Sequence, residues 1–241
     1  FQEPWGLVAC PDGSLLVADS GSHTIRHVSA AGLVSTVAGL AGQEGSADGA
    51  GAQARFSYPR GLALCPDGSL LVADSGNRAI RRVSAAGVVS TVAGAAGEEG
   101  SNDGPAALAR FSTPRGLALG PDGSLYIADC SNHTIRCLSP EGTVRTVAGA
   151  AGQSGSADGL GPAARFNRPR GLAAAPDGRL YVADTDNHTI RCISAAGLVS
   201  TLAGAAGQVG SADGQAAAAR FRYPAGVALR PDGSLLVADS H

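Results

Sequence analysis

The sequence predicts an all-β protein, a β-propeller made of four-stranded antiparallel blades. Three observations carry this. Phenylalanine recurs every 55 residues, at Phe1, Phe56, Phe111, Phe166 and Phe221. A Pro-Asp-Gly turn recurs in the same register, at Asp12, Asp67, Asp122, Asp177 and Asp232. Between turns the apolar residues come in short runs of strand length. The period is about six times that of a nonapeptide β-helix and well beyond a leucine-rich repeat, so both of those repeat folds are excluded.

The elements of one unit, residues 56–110, follow in order. Gly61-Leu62-Ala63-Leu64 is a first strand, Pro66-Asp67-Gly68 a turn, and Leu70-Leu71-Val72-Ala73 a second strand, which together make a hairpin. Asp74-Ser75-Gly76-Asn77 turns the chain into Ala79–Val83, and Ala86-Gly87 turns it again into Val88–Val92. The inner strands are apolar on both faces, as in a sheet covered on both sides, and the last mixes in Ser and Thr as an outer strand does. Residues from Gly94 to Pro114 form a long connection, Gly-rich at first, with Pro105 suited to open a helical turn. The repeat boundaries are 1–55, 56–110, 111–165 and 166–220, followed by a partial unit at 221–241. That gives four complete blades plus a two-stranded partial blade in one propeller segment. Leu235–Ala238 would then expose an unpaired strand edge, so further blades from the same or another chain are expected to complete the ring. The sequence has no Met and begins with Phe, which reads as a piece of a longer protein.

Composition narrows the function. The chain has 241 residues, 20 Asp plus Glu against 18 basic residues, all of them Arg, and a net charge of −2. Proteins that neutralise phosphate backbones carry a basic excess or stripe, so nucleic-acid binding is disfavoured. No apolar stretch approaches the ~20 residues of a membrane helix, so no membrane insertion is expected. Localisation is unreadable.

The string from Pro169 to Arg191, Pro-Arg-Gly-Leu-Ala followed by Pro-Asp-Gly, Val-Ala-Asp and Asn-His-Thr-Ile-Arg, recurs closely at 114–136. It resembles NHL repeats, and the resemblance extends over essentially the whole chain, with Asn-His-Thr-Ile-Arg at 132–136 and 187–191 the most specific segments. The resemblance implies a β-propeller, commonly six-bladed, used most often as an interaction platform.

Charges repeated in every unit read as structural. The Asp of each Pro-Asp-Gly can accept backbone hydrogen bonds within its turn. Asp19, Asp74, Asp129 and Asp184, together with the Asp48 series, balance two arginine columns: Arg26, Arg81, Arg136, Arg191 and Arg55, Arg110, Arg165, Arg220. These are expected to form ion pairs within or between blades. The local pair Asp184 and Asp186 reads as surface carboxylates. Function is expected where units differ. The position after the strand-opening Pro reads Trp5, Arg60, Arg115, Arg170 and Ala225. Gathered at one mouth of a propeller channel, these arginines would engage an acidic segment of a partner protein, with Trp5 as an apolar anchor.

His23, His133 and His188 share a column with Arg78, but equivalent atoms of adjacent blades stand too far apart to meet one ion at the ~2 Å that zinc needs. No metal and no cofactor is expected. His27 and His241 read as surface residues. Cys10 matches Cys65 and Cys137 matches Cys192; all read as small packing residues, and whether Cys130 and Cys137 are bonded is open. No catalytic residue is assigned. A non-catalytic protein-protein interaction scaffold is the favoured function. The alternatives are a lyase- or lactonase-type propeller enzyme with a channel metal, and RNA binding through a basic face. The innermost runs Gly6–Ala9, Gly61–Leu64 and Gly171–Ala174 lack Asp, Glu and His, against the first. The charge balance and the near absence of aromatics at the strand openings, Trp5 excepted, weigh against the second.

Overall fold

Four antiparallel meanders and one hairpin follow each other along the chain in a computed structural model that describes residues 1–240. The first sheet holds β1 (Pro4–Ala9), β2 (Leu15–Asp19), β3 (Thr24–Val28) and β4 (Val34–Ala38). The second holds β5 (Pro59–Leu64), β6 (Leu70–Asp74), β7 (Ala79–Val83) and β8 (Val88–Gly94). β9 (Pro114–Leu119), β10 (Leu125–Asp129), β11 (Thr134–Leu138) and β12 (Thr143–Ala148) form the third. β13 (Pro169–Ala174), β14 (Leu180–Asp184), β15 (Thr189–Ile193) and β16 (Leu198–Ala203) form the fourth, and β17 (Pro224–Leu229) with β18 (Leu235–Asp239) the hairpin. These are the four full blades and the partial blade that the period predicts. The chain divides into two compact units, Phe1–Leu117 and a second beginning at Ala118, with the boundary inside β9. His241, read above as a surface residue, lies outside the described residues.

Turn chemistry sets each hairpin. Asp12 Oδ1 accepts from the Ser14 amide at 3.0 Å and its hydroxyl at 2.6 Å, while Gly13 takes φ +81°, where a side chain would be strained. Each blade buries an apolar centre: in the second, Phe56, Val72, Ala73 and Ile80 are fully buried. Where blades meet within a unit, glycine permits backbone contact. A Cβ on Gly6 would stand 1.9 Å from the Arg60 carbonyl oxygen, and one on Gly61 2.0 Å from that of Arg115.

Two features were not read from the sequence. Gly49–Ala50, in the first long connection, pairs with Val89 and Val88 and so adds a short fifth strand to the outer edge of the second sheet; Gly159–Leu160 does the same on β16. Part of the loop thus covers an outer edge that would otherwise be open. The fourth strand of each complete blade also carries a bulge, at Val37, Val92, Val147 and Leu202, opposite the step from Ile25 to Arg26, Ile80 to Arg81, Ile135 to Arg136 and Ile190 to Arg191 in the third. At Pro105 the expected helical turn is a single one, closed by the Ala109 amide on the Pro105 carbonyl at 2.9 Å.

Candidate binding face

Arg81 is fully buried and donates to Asp74 Oδ2 at 2.7 Å, Asp48 Oδ1 at 2.6 Å, and the carbonyls of Arg55 and Ala47 at 3.1 and 3.0 Å. Its guanidinium carbon lies 5.4 Å from the Phe56 ring centroid. Arg191 repeats the arrangement with Asp184 at 2.8 Å, Asp158 at 2.6 Å and the Phe166 ring at 5.2 Å. Arg136 meets Asp129 at 3.1 Å, and Arg26 meets Asp19 at 3.4 Å. Burial pushes the carboxyls of Asp74 and Asp184 up to about 6, against the opposing pull of Asn77 and Arg81 on the first and of Asn187 and Arg191 on the second.

The second arginine column differs from the ion pairing expected of it. Among the described residues, Arg55, Arg165 and Arg220 meet no carboxylate. Each folds back on two carbonyls of the preceding turn, Ala52 and Ala54 in the first case at 2.6 and 2.8 Å, and reaches a glutamine, Gln43, Gln153 or Gln208. A turn end offers unpaired carbonyls, which a guanidinium satisfies as well as an acid does. Arg110 alone of the four adds an acid, with Glu98 at 2.6 Å. Asp184 and Asp186 are not a surface pair: Asp184 is fully buried and Asp186 faces Arg168 at 3.7 Å.

At the strand openings, close backbone approach brings the variable side chains together. Because Gly6 lies against Arg60, the preceding Trp5 reaches across to the neighbouring first strands. The guanidinium carbons of Arg60 and Arg115 stand 5.3 and 5.7 Å from its ring centroid. All three side chains are partly exposed, and bulges in β1 and β5 fall beside Trp5 and Arg60. Arg170 belongs to the second unit and occupies the same place on β13, next to a bulge of its own.

The residue just before each strand-opening proline was missed by sequence reasoning. Tyr58, Arg168 and Tyr223 take φ of 47°, 50° and 55°, and their amides donate to His23, His133 and His188 Nδ1 at 3.2, 3.1 and 3.2 Å. An Nδ1 that accepts a hydrogen bond belongs to a neutral imidazole, and burial followed by the Arg168 charge lowers the His133 value. These histidines therefore join one blade to the next. Tyr58 and Tyr223 pack edge-on against them at 4.7 and 4.6 Å and remain 42% and 36% exposed. This corrects the near absence of aromatics expected at the strand openings; residues placed immediately before a recurring proline were the available signal. Tyr58 also lines a cavity of about 200 Å³ with Arg60, Ser75, Arg78, Ser112 and Thr113. Arg78 is 3.3 Å from Glu99.

Among the described residues, no three His, Cys, Asp or Glu side chains stand together as a metal site, and no helix is long and apolar enough to cross a membrane. The five cysteines are unbonded, with Cys130 and Cys137 buried.

Antiparallel meanders on a 55-residue period, with aromatic and basic side chains at their strand openings, define a β-propeller repeat protein. A family model described as NHL repeat matches residues 1–28, 56–82, 111–138 and 166–193. The chain belongs to the NHL-repeat β-propeller family. Protein SUPPRESSOR OF QUENCHING 1, chloroplastic, from Arabidopsis thaliana is 33% identical over 207 residues, 80% of this chain and 19% of that protein. Teneurin-m from Drosophila melanogaster is 31% identical over 268 residues, 95% of this chain and 10% of that protein. The chain thus spans a small part of the length of these relatives. Solved structures of similar fold include an auxiliary nutrient binding protein from Bacteroides ovatus, with TM-score 0.73 and 19% identity over 98% of this chain and 56% of that one. A streptogramin B lyase aligns with TM-score 0.65 and 16% identity over 98% of this chain and 62% of that one. At such identities these two structures share the fold alone.

Proposed function

We propose that the chain is a non-catalytic protein-protein interaction scaffold that binds an acidic segment of a partner protein at its strand-opening end. The observation that carries this reading is Trp5 with the guanidinium groups of Arg60 and Arg115 over its ring, at 5.3 and 5.7 Å, and all three side chains partly exposed. A cation held over an indole face is oriented and partly desolvated, so it offers a carboxylate directed hydrogen bonds while the ring supplies apolar area. Exposed Tyr58 extends the apolar surface on the same side. Arg170 holds the equivalent strand-opening position within the second unit.

Additional blades of the same repeat are the other expected partner. Leu7 and Leu236 are 62% and 48% exposed, whereas Leu62 and Leu71, which hold their places in the second repeat, are each 8% exposed. A blade-like face packed on each would bury them.

The test uses a synthetic glutamate-rich peptide carrying one aromatic residue, titrated against the 241-residue chain and against Arg60→Ala/Arg115→Ala/Arg170→Ala. Binding that weakens at least tenfold in the variant, with an unchanged far-ultraviolet spectrum, supports the reading. Equal binding by both proteins overturns it.

A further inference from the structure

At the opposite end of the strands from Trp5, where the Pro-Asp-Gly turns lie, the first and second blades part to leave a cleft of about 520 Å³. Its walls are aliphatic: Leu16, Val37, Leu64, Leu70 and Val83. Asp12 and His27 also line it, and so does Cys10. This is the size and composition of a small-molecule site, apolar walls with a few convergent polar groups.

The polar groups differ from those at the equivalent turns. Asp67 is engaged by the Arg82 guanidinium, and Asp177 by that of Arg179 at 2.7 Å. Arg145 bears on Asp122 and lowers its value further below the usual carboxylate range. Asp12 has Ser14 where Asp177 has Arg179 in sequence, and His27 where Asp67 has Arg82 across the strand. One oxygen of Asp12 takes both Ser14 hydrogen bonds, and Asp12 has no arginine partner among the described residues. An exposed carboxylate, faced only by the His27 imidazole, thus stands where Asp67, Asp122 and Asp177 have an arginine, and it borders an apolar cleft. Asp232 likewise has Ser234 alone among the described residues.

We propose that this cleft binds a small organic cation, an ammonium or guanidinium group on an apolar body, with the cation at Asp12 and the body between Leu16, Leu64 and Val83. The charge complementarity names the occupant: the neighbouring turns show which group this carboxylate takes, and the aliphatic walls show what is attached to it. Leu16 stands on the cleft wall where the third and fourth repeats have Tyr126 and Tyr181.

Cys10 supplies a reporter, and Cys65, its counterpart one repeat on, an internal control; both are unbonded and partly exposed. The 241-residue chain is alkylated with iodoacetamide at pH 7.5, with 4-phenylbutylamine, 4-phenylbutanol or 4-phenylbutyrate present, and modification of each cysteine is followed by mass spectrometry. Phenylbutylamine is expected to slow alkylation of Cys10 at least fivefold relative to Cys65, with the alcohol and the carboxylate having little effect. Asp12→Asn, which keeps the acceptor for the Ser14 amide, and His27→Arg, which supplies the guanidinium internally, are each expected to abolish the protection. Equal protection by all three compounds, no protection by the amine, or protection that survives both Asp12→Asn and His27→Arg would overturn the proposal.

Discussion

Asp74 shows how one side chain is set by both its turn and its burial. Its Oδ1 accepts the Ser57 amide at 2.7 Å, and its Oδ2 accepts Asn77 at 2.8 Å and Arg81 at 2.7 Å. Desolvation still dominates and raises the carboxyl from 3.8 to about 6. The folded state therefore holds this proton more tightly than the unfolded state, so the stability that the group contributes is full below the unfolded value and is lost as the pH rises through about 6. Asp74→Asn removes that titration. The deficit in stability of the variant against the parent, from urea unfolding at pH 4.5 and pH 7, is expected to shrink as the pH rises; a deficit that grows would show the carboxyl to be depressed by Arg81 instead. The exposed turn carboxylates Asp12, Asp67 and Asp122, lowered chiefly by Ser14, Ser69 and Ser124, titrate the other way and cancel in this difference. In the sequence, the recurrence of Asp74 and Arg81 at fixed positions was legible. Their complete burial was not, because a charged pair reads the same on a surface as in a core until the sheets on either side are placed.

At the scale of elements, strands are tied across blades by contacts between residues remote in sequence. Ser20, Ser75 and Thr185 hydroxyls donate to the carbonyls of Pro59, Pro114 and Pro224 at 2.5, 2.5 and 2.8 Å. Each links the end of one second strand to the start of the next blade. Glycine is required where first strands run side by side. Gly61→Ala would drive a Cβ to 2.0 Å from the Arg115 carbonyl oxygen and 3.0 Å from the Leu117 amide, both backbone atoms that cannot rotate away. Destabilisation of about 2–3 kcal/mol is expected, the cost of overpacking a rigid interior. Gly226 holds the same position in the hairpin, and a Cβ there meets only the Ala238 Cβ at 3.5 Å, an ordinary contact. Gly226→Ala should therefore leave the unfolding temperature nearly unchanged in the same calorimetric scan. Equal effects of the two substitutions would refute the close-approach account.

For the molecule as a whole, the repeat leaves two apolar faces uncovered, one at Leu7 in the first unit and one at Leu236 in the second. Leu7→Lys combined with Leu236→Lys is expected to reduce self-association in light scattering at tens of micromolar while leaving the unfolding temperature nearly unchanged, whereas Leu62→Lys should unfold the chain. A large loss of stability in the double variant would mean that these side chains are already packed. The sequence alone determined the period, the four strands of each unit and the turn chemistry, because these depend on local alternation and on residues a few positions apart. It also indicated the columns of charge and the variable Trp5, Arg60, Arg115 and Arg170 position. Only the tertiary structure decided that Trp5 lies under two guanidinium groups, that Arg55 caps carbonyls rather than an acid, and that Asp12 borders a cleft without an arginine. Those outcomes depend on how closely neighbouring backbones approach and on bulges that re-aim single side chains, distances set by packing between sheets and written in no single segment of the chain.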